Sequence, residues 1–384
     1  MKQTDLGFEE SRLKRVGAAI RTDIDRELYD GAALFVARHG QEVLRDAWGF
    51  AERDAGRELS VDDPFFTMSL GKQFTVTVVL NRVERGQLSL RMRVAEVIPE
   101  FGTVGKERIT LAQLLTHTSG VATMLPPMPP SDLGNLEEFV AAICRSPAET
   151  RPGDRVHYSI LAAHSVMAEM VRRVDGGTRS FREIIQDDLF DPLGMRNTSL
   201  GLRADLAKRM CPVVARYEGT GLFDPKAAEA FPLMAGEKGE LPAGGFVSTA
   251  DDVHRFAEML RGGGELDGHR ILSPAMIEIA TRNHTGTRRN EVFDVLLDMR
   301  GWDPWPAYLG LGFFVRGEEL IPGPFGSLNS PRTFGGFGAG STCFWVDPRH
   351  DLTFVMLTTG LMEDSRHMER MQRISDLVLA SLVD

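Results

Sequence analysis

Strand-forming segments lie near both ends of this chain, and most of the helix-forming segments lie between them. His39-Gly40-Gln41 separates two apolar runs, a pattern that predicts a β-hairpin. The strand-like segments are the hairpin over 32–51 and the runs at 308–317, 342–348 and 352–360. Amphipathic helices are predicted at 8–29 and 364–383. If the late strands join the early hairpin, one sheet is assembled from the two ends of the chain.

The segment between these ends is predicted to form a second structural part. Residues 135–215 are mostly helical by periodicity, with turns at RPGD, DGG and DPLGM. A chain of 384 residues is longer than one compact core usually holds. We therefore expect an α/β plus all-α fold, in which an antiparallel β-sheet flanked by helices (1–80 and 240–384) carries an inserted helical subdomain (81–239). A cleft between the two parts is a favoured place for a small-molecule site.

Charge and cysteine usage limit the partners and the location of the protein. A formal net charge of -10 disfavours nucleic acid and anionic membranes. The N-terminus lacks the apolar core of a secretory signal and no apolar run could span a bilayer, so we expect a cytoplasmic protein. Cys144, Cys211 and Cys343 show no metal-ligand spacing and are predicted to be reduced, buried thiols. We expect no metal and no organic cofactor.

A serine and a lysine three residues apart, Ser69 and Lys72, stand where a long apolar run begins. Positions i and i+3 share one face of a helix, so the Lys72 amine can reach the Ser69 hydroxyl. Apolar surroundings disfavour a charged lysine, and a neutral amine can accept a proton. The alternative is that Ser69 caps the helix while Lys72 extends to solvent, as we expect for the same spacing at Ser11 and Lys14.

Five stretches between Phe65 and Pro348 can be compared with known enzymes. They are FTMSLGKQFT, ITLAQLLTHTSGV, RPGDRVHYS, LFDPLGMRNTSL and PAGGFVSTADDVHRFAEML. Together, and in this order, they resemble the motifs of serine β-lactamases and penicillin-binding proteins. The pattern is similar to the class C-like branch, and most of all to the family VIII carboxylesterases. The resemblance implies a β-lactamase/transpeptidase-like fold.

The resemblance also implies roles for individual residues. Ser69 matches the family nucleophile and Lys72 the lysine that takes its proton. Tyr158 matches the tyrosine that passes a proton between the nucleophile and the leaving group. His117, in the THTSG segment, is given a structural role in holding its loop by hydrogen bonds.

A third motif of the family lies on a strand near the C-terminus. The sequence HTG at 284–286 is too far from the end and is interpreted as a chance match. Phe334, Gly335 and Gly336 stand where the motif belongs and are predicted to bind substrate, because glycines let a backbone approach it closely. By resemblance, the N–H of Phe337 joins that of Ser69 in an oxyanion hole. The alternative is a glycine-rich bulge without a chemical role.

The chain departs from the family pattern at two points that bear on the substrate. Ile160 replaces the asparagine of the tyrosine motif, and its side chain cannot form a hydrogen bond with a substrate amide. The third motif also lacks the lysine or histidine that would meet a substrate carboxylate. Both departures favour an uncharged ester over a β-lactam or a D-peptide. Candidate apolar lining residues of the pocket are Met124, Met128, Trp302, Trp305, Phe313 and Phe325.

The sequence therefore predicts a serine hydrolase that cleaves a small-molecule ester through an acyl-enzyme on Ser69, with Lys72 and Tyr158 as proton-transfer groups. Three alternatives remain open. The first is an acyltransferase that passes the acyl group to an alcohol or amine. The second is a β-lactamase or D-amino-acid peptidase. The third is a catalytically silent binding protein that uses the same cleft.

Overall fold

The computed structural model describes residues 3–129, 132–219 and 221–384. Its helices are α1 (Glu10–Asp25), α2 (Lys72–Glu84), α3 (Leu111–Leu115), α4 (Leu136–Arg145), α5 (Ala162–Val174), α6 (Phe181–Ile185), α7 (Ala204–Ala207), α8 (Pro225–Met234), α9 (Ala250–Arg261), α10 (Pro274–Ala280), α11 (Asp294–Arg300) and α12 (Asp364–Leu379). Its strands are β1 (Gly31–Arg38), β2 (Gln41–Glu52), β3 (Arg57–Glu58), β4 (Phe65–Phe66), β5 (Ser199–Leu200), β6 (Phe246–Ser248), β7 (Glu265–Leu266), β8 (His269–Arg270), β9 (Phe314–Val315), β10 (Phe334–Gly338), β11 (Thr342–Asp347) and β12 (Leu352–Thr359).

The main sheet joins strands from both ends of the chain, as predicted. Its seven strands run in the order β3-β2-β1-β12-β11-β10-β9, and every pairing is antiparallel. In the hairpin, His39 and Gly40 both have positive φ, at 54° and 74°, which is the geometry of a tight two-residue turn. Nearly every residue of β1 and β12 is buried because helices cover both faces of the sheet.

The two faces can be told apart by neighbouring residues of β11, since successive side chains of a strand point to opposite sides. The Trp345 indole donates to Ser375 of α12 over 2.9 Å, so α12 covers one face. The Phe344 ring lies 5.6 Å from that of Phe256 in α9, so α9 covers the other. Helix α1 packs beside α12. This is the predicted antiparallel sheet flanked by helices.

Two predictions about secondary structure were too broad. Residues 135–215 contain α4 to α7, but loops and the short strand β5 interrupt them, so the stretch is not mostly helical. Only Phe314–Val315 of the run 308–317 forms a strand. The rest of that run turns back on itself, because Tyr308 and Gly312 have φ of 45° and 79° and Leu309 bridges to Phe314. The proline-rich loop predicted at 124–132 lies partly outside the described residues.

Helix α2 is buried on all sides and connects the sheet to the central helices. Ten of its thirteen residues are buried, which explains why its sequence shows no polar face. It packs on α5 and α6 and also touches β10.

The division of the chain into a helical subdomain over 81–239 and a sheet domain formed by the remainder stays a prediction. Within the described ranges, none of the helices has the length and apolar character needed to cross a membrane.

Candidate active site

The predicted nucleophile lies on a short turn that leads directly into α2. Met68–Gly71 form one turn of 3₁₀-helix, and Lys72 begins the α-helix. Met68 has a φ of 50°, a conformation that is uncommon for a residue with a side chain and is found disproportionately at functional sites. Gly71 leaves no room for a Cβ, which would stand 2.4 Å from the Phe246 ring. Ser69 is therefore partly exposed, while the rest of the turn is tightly packed against the protein.

The Lys72 amine is buried and touches the Ser69 hydroxyl. Its side chain is 1% exposed, and Nζ lies 2.9 Å from Ser69 Oγ and 2.8 Å from the carbonyl oxygen of Ala243. Burial lowers the pKa of Lys72 to about 7. A neutral amine that donates to Ala243 still has a lone pair for the Ser69 proton. The predicted alternative, in which Lys72 reaches solvent, is wrong, whereas Lys14 is exposed and pairs with Glu10.

Tyr158 is brought to the same place by the loop before α5. Nζ of Lys72 lies 5.2 Å from the centroid of the Tyr158 ring. The Tyr158 backbone N–H donates to Oδ1 of Asn290 over 3.2 Å. Burial raises the pKa of the phenol, and a hydrogen bond with the Ser69 side chain acts in the opposite direction. The phenol therefore stays protonated near neutral pH and can act as an acid.

Strand β10 packs against the turn that carries the nucleophile. The Thr342 hydroxyl donates to the Thr67 carbonyl over 2.7 Å, and a Cβ on Gly338 would lie 2.6 Å from the same oxygen. Phe337 is half-buried and lies opposite Cys343 in the sheet. The backbone N–H of Ser69 has no hydrogen-bond acceptor within the described parts of the chain. The pairing of Ser69 and Phe337 as oxyanion donors stays a prediction.

The glycines of the third motif make room for protein atoms. A Cβ on Gly335 would lie 2.1 Å from the Phe344 carbonyl oxygen, and one on Gly336 would lie 2.0 Å from Gln73 Oε1. Phe334 is buried against Phe313, with ring centroids 5.8 Å apart. These contacts give the three residues packing roles, and their contact with substrate stays a prediction.

Replacing Gly336 by alanine should destabilise the protein by about 1–3 kcal/mol, because the new methyl group overlaps the Gln73 side chain. Gln73 would have to leave the Gly312 carbonyl, to which its Nε2 now donates over 2.8 Å. Urea unfolding measures the effect. The double variant Gly336→Ala/Gln73→Ala has room for the methyl group, so Gly336→Ala should cost less in a Gln73→Ala background than in the wild type. Equal costs in both backgrounds would contradict this packing.

Ser69 opens onto an apolar cavity of about 140 Å³. Its lining includes Met68, Met124, Leu125, Ile160, Phe223 and Phe231. Of the six candidate lining residues, only Met124 is found here. Phe313 is in the core, and Trp305 and Phe325 line a separate narrow cavity beside Phe337. Phe223 and Phe231, which flank and occupy α8, were missed. The Asp224-Pro225 pair could have predicted the start of α8, which Asp224 caps, but not that the two rings reach the cavity.

The three cysteines are free and buried, as predicted. In the described part of the chain, no cluster of three or more histidine, cysteine, aspartate or glutamate side chains could hold a metal ion. His284 contacts the carbonyl oxygen of Ile279 through its ring Nε2, so the HTG sequence belongs to a surface loop.

Comparison with known proteins gives concordant sequence and structural matches. Penicillin-binding protein 4 of Amycolatopsis lactamdurans is 31% identical over 67% of this chain and 66% of its own length. Esterase/beta-lactamase LipL of Mycobacterium tuberculosis is 26% identical over 93% of this chain and 83% of its own length. The crystal structure of a family VIII carboxylesterase superposes with a TM-score of 0.78 at 22% identity, covering 96% of this chain and 98% of that one.

The Beta-lactamase family model matches residues 17–378. This range contains the five motif stretches and all the site residues described above. The resemblance read from the motifs is confirmed, and so is the fold that it implied. The chain belongs to the Beta-lactamase family.

Proposed function

We propose that this protein is a serine hydrolase that cleaves an uncharged carboxylic ester through an acyl-enzyme on Ser69. The observation that carries the proposal is the 2.9 Å contact between Ser69 Oγ and the buried Nζ of Lys72. A hydroxyl is a weak nucleophile until a base takes its proton, and an amine with a pKa of about 7 is largely able to do so near neutral pH.

The reaction proceeds in two steps through the same groups. Lys72 accepts the Ser69 proton as Oγ bonds to the ester carbonyl carbon, and the N–H groups of Ser69 and Phe337 hold the oxyanion. The bond to the leaving alcohol breaks as Tyr158 donates its proton to that oxygen, and the proton held by Lys72 restores the phenol. Water then attacks the acyl-enzyme with the same groups acting as base, and Ser69 leaves with a proton.

The apolar cavity supports an ester with an apolar acyl group. Ile160 lines it at the position where the family pattern has an amide-binding asparagine, so a peptide or β-lactam side-chain amide would lose its partner there. LipL, a relative over most of the chain, carries the name esterase/beta-lactamase. The cavity has about the volume that holds a benzene-sized ligand, which favours a short acyl chain of roughly four to six carbons.

The test measures three readouts on the purified full chain. Hydrolysis of p-nitrophenyl acetate, butyrate, hexanoate and decanoate should peak at butyrate or hexanoate. A chromogenic cephalosporin should turn over far more slowly. A fluorophosphonate should label one residue, which peptide mapping places at Ser69.

Each other outcome favours a named alternative. Faster turnover of the cephalosporin than of every ester would support a β-lactamase. Labelling at Ser69 with slow hydrolysis that added alcohols accelerate would support an acyltransferase. Absence of labelling and turnover would support a silent binding protein and overturn the proposal.

A further inference from the structure

His117 contacts Tyr158 and its two chain neighbours at three points. The His117 carbonyl accepts the N–H of His157 over 2.8 Å, and its Nδ1 accepts the N–H of Ser159 over 3.0 Å. The imidazole stacks on the Tyr158 ring with centroids 4.4 Å apart and planes 29° from parallel. The two hydrogen bonds confirm the predicted loop-holding role. The stacked ring does more, because it acts on the side chain of Tyr158 and not on the loop.

The backbone of His117 has an unfavourable conformation. It follows helix α3 with a φ of 53°, where glycine is the usual residue because it has no Cβ. A side chain in this region costs about 1 kcal/mol or more, and such cost is tolerated where surrounding contacts compensate for it. The contacts with the tyrosine segment are the compensation that the structure shows.

The imidazole must be neutral in this arrangement. An Nδ1 that accepts an N–H carries no proton of its own, so the single ring proton is on Nε2. Burial, together with the nearby Lys72, lowers the pKa of His117 to about 3, in agreement with the geometry. A neutral ring covers one side of the phenol and places no positive charge there to oppose proton uptake by Lys72.

We propose that His117 is a positioning residue for acid catalysis, which keeps the Tyr158 hydroxyl at the leaving-group oxygen. The inference rests on the proposed function. The step concerned is transfer of the phenol proton to the departing oxygen as the carbon–oxygen bond breaks. Misplacing the phenol should therefore slow the departure of a poor leaving group and leave a good one nearly unaffected, because a stable anion departs without a proton.

The test compares ethyl butyrate with p-nitrophenyl butyrate in His117→Asn. Asparagine accepts a left-handed backbone and offers a carbonyl oxygen to the Ser159 N–H, but it has no ring to stack. We expect kcat/KM, which reports acylation, to fall about 100-fold for ethyl butyrate and less than about 5-fold for p-nitrophenyl butyrate. A purely structural role would lower both values equally, and that result would overturn the proposal.

A double-mutant cycle with Tyr158→Phe tests whether His117 acts through the phenol. If it does, His117→Asn should change kcat/KM for ethyl butyrate by less than about 2-fold once the hydroxyl is gone. Full additivity of the two losses would contradict the proposal. His117→Phe keeps a stacking ring and serves if the asparagine variant does not fold. The ratio of its kcat/KM values for the two esters should remain near that of the wild type, and a loss confined to ethyl butyrate would overturn the proposal.

His164→Phe is the matched control. The His164 ring lies 5.5 Å from that of His117, and within the described residues neither of its nitrogens has a hydrogen-bond partner. Removing those nitrogens should leave the ratio of the two esters unchanged, and a shift as large as that of His117→Asn would overturn the proposal. Absence of wild-type turnover with both esters would instead refute the proposed function, so the two failures are distinguishable.

Discussion

Ester hydrolysis should fall by at least about 10⁴-fold when Lys72 is replaced by methionine, while the folded chain becomes more stable at neutral pH. The loss of activity follows because the Tyr158 phenol, which also contacts Ser69, stays protonated near neutral pH and cannot take the serine proton. The gain in stability follows because methionine has nearly the same length and does not have to leave water as a cation. The two effects have opposite signs and a single cause, the burial of the amine.

The expected stability difference depends on pH in a defined direction. The pKa of Lys72 is about 7 in the folded chain against 10.5 for a lysine in water. Between these values the unfolded chain binds a proton that the folded chain does not, so wild-type stability rises with pH over this range. At or below pH 7 this pKa shift destabilises the folded wild type by about 5 kcal/mol. The Ala243 carbonyl loses its donor in the variant, which offsets about 1–3 kcal/mol of the gain.

Urea unfolding of the wild type and Lys72→Met at pH 6, 8 and 10 measures this difference. The variant should be more stable by about 2–4 kcal/mol at pH 6, and by pH 10 this advantage should be lost or reversed, because little of the protonation difference remains there. In parallel, kcat/KM of the wild type should rise through about pH 7 as the amine loses its proton. Lys14→Met, at an exposed lysine, should change neither quantity. A gap that does not depend on pH would show that Lys72 is charged in the folded chain.

Replacing Ser69 by alanine should reduce ester hydrolysis by about 10⁵-fold and abolish fluorophosphonate labelling. The hydroxyl supplies the oxygen that bonds to the acyl carbon, and no neighbouring group can replace it. Binding of the intact ester should change little, because the apolar cavity remains. Initial rates measure the loss of hydrolysis, and mass spectrometry after fluorophosphonate treatment measures the loss of labelling.

Ser11→Ala is the matched control for this change, because Ser11 and Lys14 repeat the same spacing on an exposed helix face. We expect wild-type activity and labelling in this variant. Substantial turnover by Ser69→Ala, or labelling that persists in it, would place the nucleophile elsewhere.

The sequence predicted the sheet well because its signals are local. A turn that needs two residues with positive φ is visible in His39-Gly40, and the alternation and apolar runs of the strands need no distant partner to be recognised. The run 308–317 was misjudged because its glycines and Tyr308 turn the chain, although its apolar composition is that of a strand.

The site was predictable only in part. The spacing of Ser69 and Lys72 was visible, but the burial of the amine depends on α5 and the Ala243 loop, which are distant in sequence. Phe223 and Phe231 reach the cavity through the tertiary placement of α8, and no local pattern marks an aromatic residue as pocket-lining. The stacking of His117 on Tyr158 joins two loops about forty residues apart and likewise has no local signature.

The pairing of β1 with β12 has a consequence for how the protein is made. Gly31 lies opposite Thr359, so the ribosome must add 328 residues after Gly31 before the central ladder of the sheet can close. Until then β1 has one edge without its native neighbour, and such an edge can pair with other chains. Contacts this distant in sequence also slow folding, because a very large loop must be closed first. The nascent protein thus depends on β12 to cover the exposed edge of β1 and so to limit aggregation.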